Sequence, residues 1–401
     1  MSDSFDSSSD SSGSDSFTDS SSGSDSFTET TTEGWGSRLG NSLGAAVLGL
    51  ILVPAAIWLL WFNEGRAVDA IRALNRGAGS VIEVSASPVD PAGNGKLVHV
   101  TGTLAPTTPA KDPVFGVTGD GLVRLTRTVE AYQWKEETST KTTQNVGGSK
   151  TTEKTYNYVK EWSSQPIDSS HFKVPANHQN PPMPQKSATF DGGTVKIGAL
   201  QVDPSVLDKI NVFKPVRAES SPPSGYQASG DGFYQGPNPG QPTIGDVRVT
   251  FTGVPSQTVS VAAAQASGVL TAYRDANGYT IALAEPGVAS AETLFHDEKK
   301  SESTLTWILR AVGFVVVLIG FVCVTRPLTM LFAFLPFLES LVGAGAFLVA
   351  LMLAVPITLL TIAIAWIVHR PLIGGLLLVG AVAALFLLRQ IIPKRAKPVA
   401  A

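Results

Sequence analysis

The stretch Leu43–Phe62, LGAAVLGLILVPAAIWLLWF, decides the fold of this chain. It is apolar throughout and contains no charged residue. At about 1.5 Å of rise per residue, a helix of this length matches a hydrocarbon core about 30 Å thick. Trp58 and Trp61 lie near its end, where aromatic rings favour the membrane interface. We therefore predict a first transmembrane span over residues 43–62.

Three more apolar stretches lie in the C-terminal part of the chain. They predict span 2 over residues 307–325, span 3 over residues 341–368 and span 4 over residues 372–388. Before span 3, residues 326–340 form a short apolar segment that Pro336 and Glu339 interrupt. We predict that this segment is interfacial or re-entrant, which gives four spans. Five spans is the alternative, if the segment also crosses the membrane.

Residues 63–306 separate the first span from the others. Asn63–Ser80 continues the helical period as an amphipathic extension, and Gly77 and Gly79 end it. The remainder is rich in β-branched and aromatic residues, in short runs between turns. The chain is therefore predicted to be a polytopic α-helical membrane protein of about four spans. A large α+β, mainly antiparallel β, extramembrane domain lies between span 1 and span 2.

Two hairpins are predicted inside this domain. Val81–Val84 and Leu97–Thr101 flank a turn made of Pro, Gly and Asn residues. Leu122–Glu137 and Thr151–Trp162 are strand-like, and a polar segment joins them.

Four aromatic side chains of the second hairpin are the best candidates for a buried or interfacial cluster. They are Tyr132, Trp134, Tyr158 and Trp162. We predict that any self-association of the chain uses this hairpin.

The two termini have opposite charge. Residues 1–42 consist largely of Ser, Thr, Asp and Gly and carry eight acids against one base, Arg38. We predict a disordered acidic tail there, either a solvated spacer or a regulated docking tail. Residues 389–401 form a basic tail that the positive-inside bias places in the cytoplasm. An even number of spans then puts both termini in the cytoplasm and the domain across the membrane.

Composition excludes two classes of structure. The only cysteine, Cys323, lies in span 2, so the domain cannot contain an intramolecular disulfide. No basic cluster is large enough to follow a phosphate backbone, so nucleic acid is not an expected partner.

Charged groups at the end of the first span carry the clearest structural hypothesis. Asn63, Glu64 and Arg66 lie where the helix leaves the hydrocarbon, and such groups must be paired if they are buried. We predict a polar junction that locks span 1 to the domain or to span 2. The alternative is interfacial charge that simply ends the span.

The other spans also carry charges at their ends. These are Arg310, Glu339, His369 and Arg370. Arg310 is close enough to the start of span 2 to reach the interface. Glu339 is predicted at the interface, with a buried pair as the alternative. His369 and Arg370 are predicted to anchor span 3 at the interface.

No residue pattern predicts catalysis, a cofactor or a metal. His171 and His178 are separated by Pro175, so no helix presents them on one face, and structural roles are favoured. No Walker loop, HExxH or paired-cysteine motif is present. A membrane-anchored enzyme with an unrecognised site is therefore the least favoured class.

Two other classes of function remain. A scaffold would use the domain to bind partners and the Gly- and Ala-rich spans for close helix packing. An oligomeric channel or transporter would need polar groups along its spans, and only Arg310 and Glu339 qualify. We favour the scaffold, with membrane lipids, further copies of the chain and other membrane proteins as partners.

Eight blocks of sequence, in order, resemble the LUMA (transmembrane protein 43) family. They are FNEGRAV at Phe62–Val68, LVHVTGTL at Leu97–Leu104, RTVEAYQWKEE at Arg127–Glu137, YNYVKEW at Tyr156–Trp162, GDVRVTF at Gly245–Phe251, AETLFHDE at Ala291–Glu298, WILRAVGF at Trp307–Phe314 and AWIVHRPL at Ala365–Leu372. The resemblance covers roughly Trp35 to Lys397, and the Ser/Asp tail lies outside it.

This resemblance implies four spans, cytoplasmic or nucleoplasmic termini and a luminal or extracytoplasmic domain. It also implies a protein that self-associates and organises complexes, and that in animals contacts lamins and emerin. The expected location is the endoplasmic reticulum or inner nuclear membrane in a eukaryote, and the inner cell membrane in a bacterium. It implies no catalytic residues and no cofactor.

Overall fold

A computed structural model describes residues 26–370 as a helical bundle joined to a domain rich in β-strands. The helices are α1 Trp35–Ser80, α2 Pro204–Leu207, α3 Ala291–Leu331 and α4 Pro336–His369. Predicted span 4 at 372–388, the basic tail at 389–401 and residues 1–25 of the acidic tail lie outside the described residues.

The strands are numbered in chain order. They are β1 Ser26–Glu33, β2 Ile82–Glu83, β3 Leu97–Pro106, β4 Leu122–Gln144, β5 Lys150–Ser163, β6 Ala188–Asp191, β7 Val195–Ile197, β8 Leu200–Val202, β9 Lys214–Pro215, β10 Gln227–Ser229, β11 Gly232–Gln235, β12 Val247–Pro255, β13 Gln257–Ala266, β14 Val269–Thr271, β15 Tyr273–Arg274, β16 Thr280–Ile281 and β17 Leu283–Pro286.

Helices α1, α3 and α4 are long and apolar enough to cross a membrane. They contain the residues predicted as spans 1, 2 and 3. The predicted helical extension Asn63–Ser80 is confirmed, because α1 runs without a break from Trp35 to Ser80. Helix α3 likewise begins in the domain, where Ser290 caps it by accepting a hydrogen bond from the Thr293 backbone N–H. The domain is therefore attached to the bundle by two continuous helices.

Residues 326–340 join α3 to α4 and do not form a helix of their own. Helix α3 continues to Leu331, and α4 begins at Pro336, so the segment consists of two helix ends and a short turn. The sequence interpretation treated Pro336 as a break. Proline is instead favoured at the first position of a helix, because that position has no backbone hydrogen bond to lose.

The prediction of a disordered tail over residues 1–42 is wrong for its described part. Ser26–Glu33 forms strand β1, which pairs antiparallel with β5, from Ser26 opposite Asn157 to Glu33 opposite Lys150. The residues after Gly34 begin α1. A low apolar content does not prevent this order, because the order comes from backbone hydrogen bonds to the edge of a hairpin.

Five strands of the domain close into a small barrel. Around the ring, β3 pairs with β13, β13 with β14, β14 with β8, β8 with β7, and β7 with β3. Its interior is aliphatic, with Val100, Leu104, Ile197, Val261 and Leu270 fully buried. A closed ring leaves no unpaired edge among these strands, which stabilises the part of the domain nearest the bundle.

A second sheet extends from the barrel. Its strand order is β1-β5-β4-β12-β11-β10, with β6 and β9 paired at its side. Pairing is antiparallel throughout this sheet, as expected from the sequence. The predicted hairpin of Leu122–Glu137 and Thr151–Trp162 is confirmed and is longer than expected, because β4 reaches Gln144 and β5 begins at Lys150.

The other predicted hairpin, Val81–Val84 with Leu97–Thr101, is wrong. Strand β2 pairs with β3 in parallel, with Ile82 opposite Val98 and Glu83 opposite His99. The intervening residues, which include a short 3₁₀ turn at Pro91–Gly93, carry the chain back to the start of the next strand. A Pro/Gly/Asn segment fits this crossover as well as it fits a hairpin, so composition could not separate the two.

An apolar cluster seats the barrel on the two continuous helices. Leu74 of α1 and Phe295 of α3 pack with Leu97 and Ala262 of the barrel and with Ile281 of the neighbouring strand β16. Gly77 allows this contact, because a Cβ there would lie 2.9 Å from both Ile281 and Phe295. The bundle and the barrel therefore share one packed interface.

Glycines let α1 and α3 approach closely within the spans. A Cβ on Gly49 would lie 2.4 Å from the Gly320 carbonyl oxygen, and a Cβ on Gly320 would lie 2.6 Å from the Val53 side chain. A Cβ on Gly313 would similarly meet Leu60 at 2.5 Å. Small residues are the usual means of close helix packing in membranes, since they bring backbones into van der Waals contact.

We predict that Gly49→Ala lowers the thermal stability of the protein in detergent, because its Cβ meets backbone that cannot rotate away. Overpacking of this kind costs about 1–3 kcal/mol. Gly44→Ala is the matched control on the same helix, since a Cβ there has no atom within 4 Å. The unfolding temperatures of both variants would be compared with the parent. Equal temperatures for the two variants would contradict the close packing of α1 on α3.

Candidate functional site

Glu64 of α1 lies at the centre of the contacts that join the three long helices. Its carboxylate accepts two hydrogen bonds from the Arg310 guanidinium of α3, at 2.6 and 2.8 Å. It also accepts one from the Trp366 indole N–H of α4, at 2.8 Å. Glu64 is only 1% exposed. A carboxylate this deeply buried requires such pairing, and the two-pronged arginine contact is the strongest form available to it.

The sequence suggested that Arg310 simply reaches the membrane interface. In the structure its guanidinium is instead paired with Glu64. Besides its bond to Glu64, its guanidinium lies 4.7 Å from the ring centroid of Trp307 and 5.7 Å from that of Trp366. Cation–π contacts with indole rings stabilise a partly desolvated guanidinium. We call Glu64, Arg310 and Trp366 the junction triad.

Asn63 and Arg66 extend these contacts towards the domain. The Asn63 side-chain amide donates to the Thr306 carbonyl at 3.2 Å. Arg66 forms an ion pair with Glu302 at 2.5 Å, and the Tyr279 hydroxyl donates to the same carboxylate at 3.0 Å. Burial, together with the nearby Glu302 carboxylate, raises the pKa of Tyr279, so its hydroxyl stays protonated and remains a donor. The three predicted junction residues thus all contact α3.

His369 and Arg370 lie at the end of α4 beside this junction. The His369 ring packs 5.6 Å from Trp61, and its carbonyl accepts a hydrogen bond from Arg72 at 2.6 Å. Gly65 makes room for the ring, because a Cβ there would lie 2.9 Å from it. Arg370 lies over Trp366 at 5.3 Å. His369 therefore attaches α4 to α1 at the domain side of the bundle, whereas Arg370 packs on a residue of α4 itself.

A second buried ion pair lies at the opposite end of the bundle. Arg38 of α1 pairs with Glu339 of α4 at 2.5 Å, and both side chains are less than a tenth exposed. Glu339 thus takes the buried, paired alternative instead of an exposed interfacial place. The sequence analysis placed Arg38 in the acidic tail and gave it no role. Arg38 is the only base among the eight acids of residues 1–42, and this isolation could have identified it as a candidate for pairing.

The tip of the β4–β5 hairpin closes this far end. Arg38 donates to the Gly148 carbonyl at 2.6 Å, and the Gly147 N–H donates to the Phe334 carbonyl at 2.9 Å. Trp35 stacks on Phe334 with ring centroids 5.1 Å apart. We call these contacts the distal clasp. The hairpin therefore begins in the domain and ends at the side of the bundle farthest from it.

The four hairpin aromatics contact each other and other residues within the chain. Tyr132 and Trp162 lie 5.2 Å apart, measured between ring centroids. Trp134 and Tyr158 both pack against His178, at 4.8 and 3.8 Å. His178 comes from the loop after β5, so the chain itself covers part of the predicted cluster. These contacts stabilise the base of the hairpin.

Other chemistry-bearing residues lie apart from each other. His171 is exposed and pairs with Asp168 at 3.0 Å, whereas His99 is buried and contacts Glu83 at 2.6 Å. Across residues 26–370, no group of three or more His, Cys, Asp or Glu side chains could hold a metal ion. The stretch GNSLG at Gly40–Gly44 has the spacing of a nucleophile elbow, but it lies inside α1, and the Ser42 hydroxyl donates to the Leu39 carbonyl.

Comparison with known proteins gives a consistent result. A family model described as transmembrane protein 43 matches residues 131–371. Transmembrane protein 43 of Rattus norvegicus is 34% identical over 377 residues, which cover 90% of this chain and 94% of the relative. The Homo sapiens protein is 34% identical over 88% of this chain and 92% of its own length. The Drosophila melanogaster homolog is 30% identical over 84% and 92%. No solved structure matches the chain significantly.

We predict that Glu64→Gln and Arg310→Met each lower the free energy of unfolding by about 3–5 kcal/mol, because each leaves an uncompensated buried charge or a broken pair. The double variant should lose less than the sum of the two single losses. Thermal unfolding in detergent measures all three variants.

Arg217→Met is the control, since the Arg217–Asp231 pair is exposed at 72% and 66% and contributes at most about 1 kcal/mol. Additive losses in the double variant would show that Glu64 and Arg310 do not depend on each other.

Proposed function

The chain belongs to the transmembrane protein 43 family, and we propose that it is an integral membrane scaffold that self-associates and holds other membrane proteins in complexes. The relatives compared above are not named for any enzymatic activity. One observation carries the proposal: a polar sheet extends from the domain to the far end of the apolar helices, which would place it beside the spans in the bilayer.

The length of this sheet follows from its two attachments. The Tyr132 N–H bonds to the domain at the Asp246 carbonyl, and Gly147 bonds to Phe334 at the far end of the bundle. Strand β4 between Tyr132 and its last residue, Gln144, is about 40 Å long at about 3.3 Å per residue. Helix α1 between Arg38 and Arg66 is about 42 Å long at 1.5 Å per residue. Both lengths match a bilayer with its headgroups, about 40–45 Å.

The side chains of this sheet are unsuited to lipid. Glu136–Gln144 of β4 reads EETSTKTTQ, and Lys150–Asn157 of β5 reads KTTEKTYN. Strand β1 adds mostly threonine and glutamate. Neither face of the sheet is apolar, so neither face can contact hydrocarbon.

The backbone at the edges of the sheet is also unsuited to contact with lipid. In the described part of the chain, β4 from Glu136 to Gln144 pairs only with β5, and β1 from Thr28 to Glu33 also pairs only with β5. Open strand edges are not tolerated against lipid, because their N–H and C=O groups have no water to bond. Further copies of the chain would cover these edges and enclose the sheet, and this requirement supports self-association.

The same polar sheet supports a second candidate, a channel. If several copies enclose their sheets, the Thr, Lys and Glu side chains would surround a water-filled space across the bilayer. Ion flux into vesicles that contain the purified protein separates this candidate from a closed scaffold. The scaffold is the simpler proposal, because the sheet needs enclosure whether or not ions pass.

The proposed orientation places the C-terminus and the start of α1 in the cytoplasm, as the basic residues Lys394, Arg395 and Lys397 suggest. The domain then lies across the membrane, and the distal clasp lies on the cytoplasmic side. The relatives compared above come from animals, which supports a eukaryotic membrane as the setting.

We expect cysteines at the hairpin tip and at the start of α1 to be labelled from the same side of the membrane. Val146→Cys and Ser37→Cys, each in a Cys323→Ser background, would be exposed to an impermeant maleimide in sealed vesicles. Val288→Cys, on the domain surface, should be labelled from the opposite side; Val146 and Val288 are 80% and 84% exposed. Labelling of Val146→Cys together with Val288→Cys would exclude a sheet that crosses the bilayer.

Self-association through the sheet predicts crosslinks between copies at its open edge. Thr140→Cys, on β4, should form dimers and larger species with a short bismaleimide in native membranes, whereas Val288→Cys should not. Native mass spectrometry in nanodiscs would give the number of copies. A single copy per nanodisc, with no crosslink at Thr140→Cys, would refute the proposed self-association.

A further inference from the structure

A cavity of about 230 Å³ lies beside the distal clasp, between the hairpin tip and the ends of α1 and α3. It is independent of the junction triad, which lies at the other end of the bundle. Its polar lining comes from four elements, β1, α1, β5 and α3: Glu33, Arg38, Asn41, Ser42, Lys150 and Arg326.

Two of these basic side chains lack a carboxylate partner. Arg38 is already paired with Glu339. Lys150 and Arg326 form no ion pair with any residue in the described part of the chain, 26–370. Glu33 lies directly opposite Lys150 in the β1–β5 ladder, but its carboxylate is beyond salt-bridge distance. Three cations and the two carboxylates of Glu33 and Glu339 leave the region with one excess positive charge, next to unused amide and ammonium donors.

The position of the cavity relative to the spans restricts the chemical class of ligand that it can bind. Ser42 immediately precedes the apolar stretch of α1 that begins at Leu43, and Arg326 follows the apolar stretch of α3 that ends at Val324. The cavity therefore lies at the depth of the lipid phosphates on this side of the bilayer. Basic pockets between transmembrane helices at this depth are typical binding sites for anionic lipid headgroups.

We propose that this cavity binds the phosphodiester of an anionic phospholipid. Arg326 and Lys150 hold the phosphate oxygens, and the Asn41 amide is available as a further donor. The single excess charge suits a singly charged phosphodiester better than a more highly phosphorylated headgroup. Because Asn41, Lys150 and Arg326 belong to α1, β5 and α3, one lipid ties the hairpin tip to the bundle.

Native mass spectrometry of the full-length protein in detergent tests this site, with phosphatidylglycerol and phosphatidylcholine as the two probes. We expect the protein to retain phosphatidylglycerol in preference to phosphatidylcholine. The Lys150→Gln/Arg326→Gln variant should bind phosphatidylglycerol about 30-fold more weakly, since each basic residue near an anionic lipid contributes roughly a fivefold factor. Glu33→Gln should bind it several-fold more tightly, because it removes an opposing charge.

The matched control is Lys196→Gln/Arg274→Gln, which makes the same two replacements at exposed positions of the domain. Equal weakening in both double variants would overturn the site, as would unchanged binding in Lys150→Gln/Arg326→Gln. Unfolding temperatures without added lipid verify that each variant is folded. Inorganic phosphate is the third probe: if it displaces phosphatidylglycerol at millimolar concentration, the ligand is a soluble phosphate and the lipid assignment is wrong.

Discussion

The buried ion pair between Glu64 and Arg310 is the interaction on which the rest of the bundle depends. A carboxylate at this depth has no water, so it is stable only where a cation and further donors are held in place. Arg310 supplies the cation from α3 and Trp366 supplies a donor from α4. The pair therefore fixes the rotation of three helices at once, which apolar side chains alone specify poorly in a lipid environment.

That rotation has consequences for α1 both at its domain end and within the membrane span. Towards the domain, it turns Arg66 to Glu302 of α3 and Arg76 to Asp275 of the domain, so the domain is attached to α1 by charge as well as by apolar packing. Within the spans, it turns Gly49 towards Gly320, where the two backbones nearly touch. The glycines and the ion pair act together. The glycines let α1 and α3 pack closely, and the Glu64–Arg310 pair holds the two helices in the register in which the glycines face each other.

The polar sheet imposes a second constraint of a different kind. Strands β1, β5 and β4 satisfy each other's backbone groups, yet their outer edges and both of their faces are incompatible with hydrocarbon. Arg38, bonded to both Glu339 and Gly148, holds the tip of this sheet against the helices. One chain thus fixes where its sheet lies but does not cover it, and for this reason the proposed function is one of assembly.

Local sequence determined the elements whose physical cause is local. Twenty apolar residues without a charge form a helix that suits a bilayer, and runs of β-branched residues favour strands. The eight blocks that resemble the transmembrane protein 43 family gave a family membership that is confirmed. Tertiary structure alone decided the partners: Arg310 for Glu64, Glu339 for Arg38, and a parallel neighbour for β2. It also ordered Ser26–Glu33, because that segment has no core of its own and takes its hydrogen bonds from β5, more than a hundred residues away. Pairing of charges and strand edges depends on distances through space, which composition and periodicity along the chain do not contain.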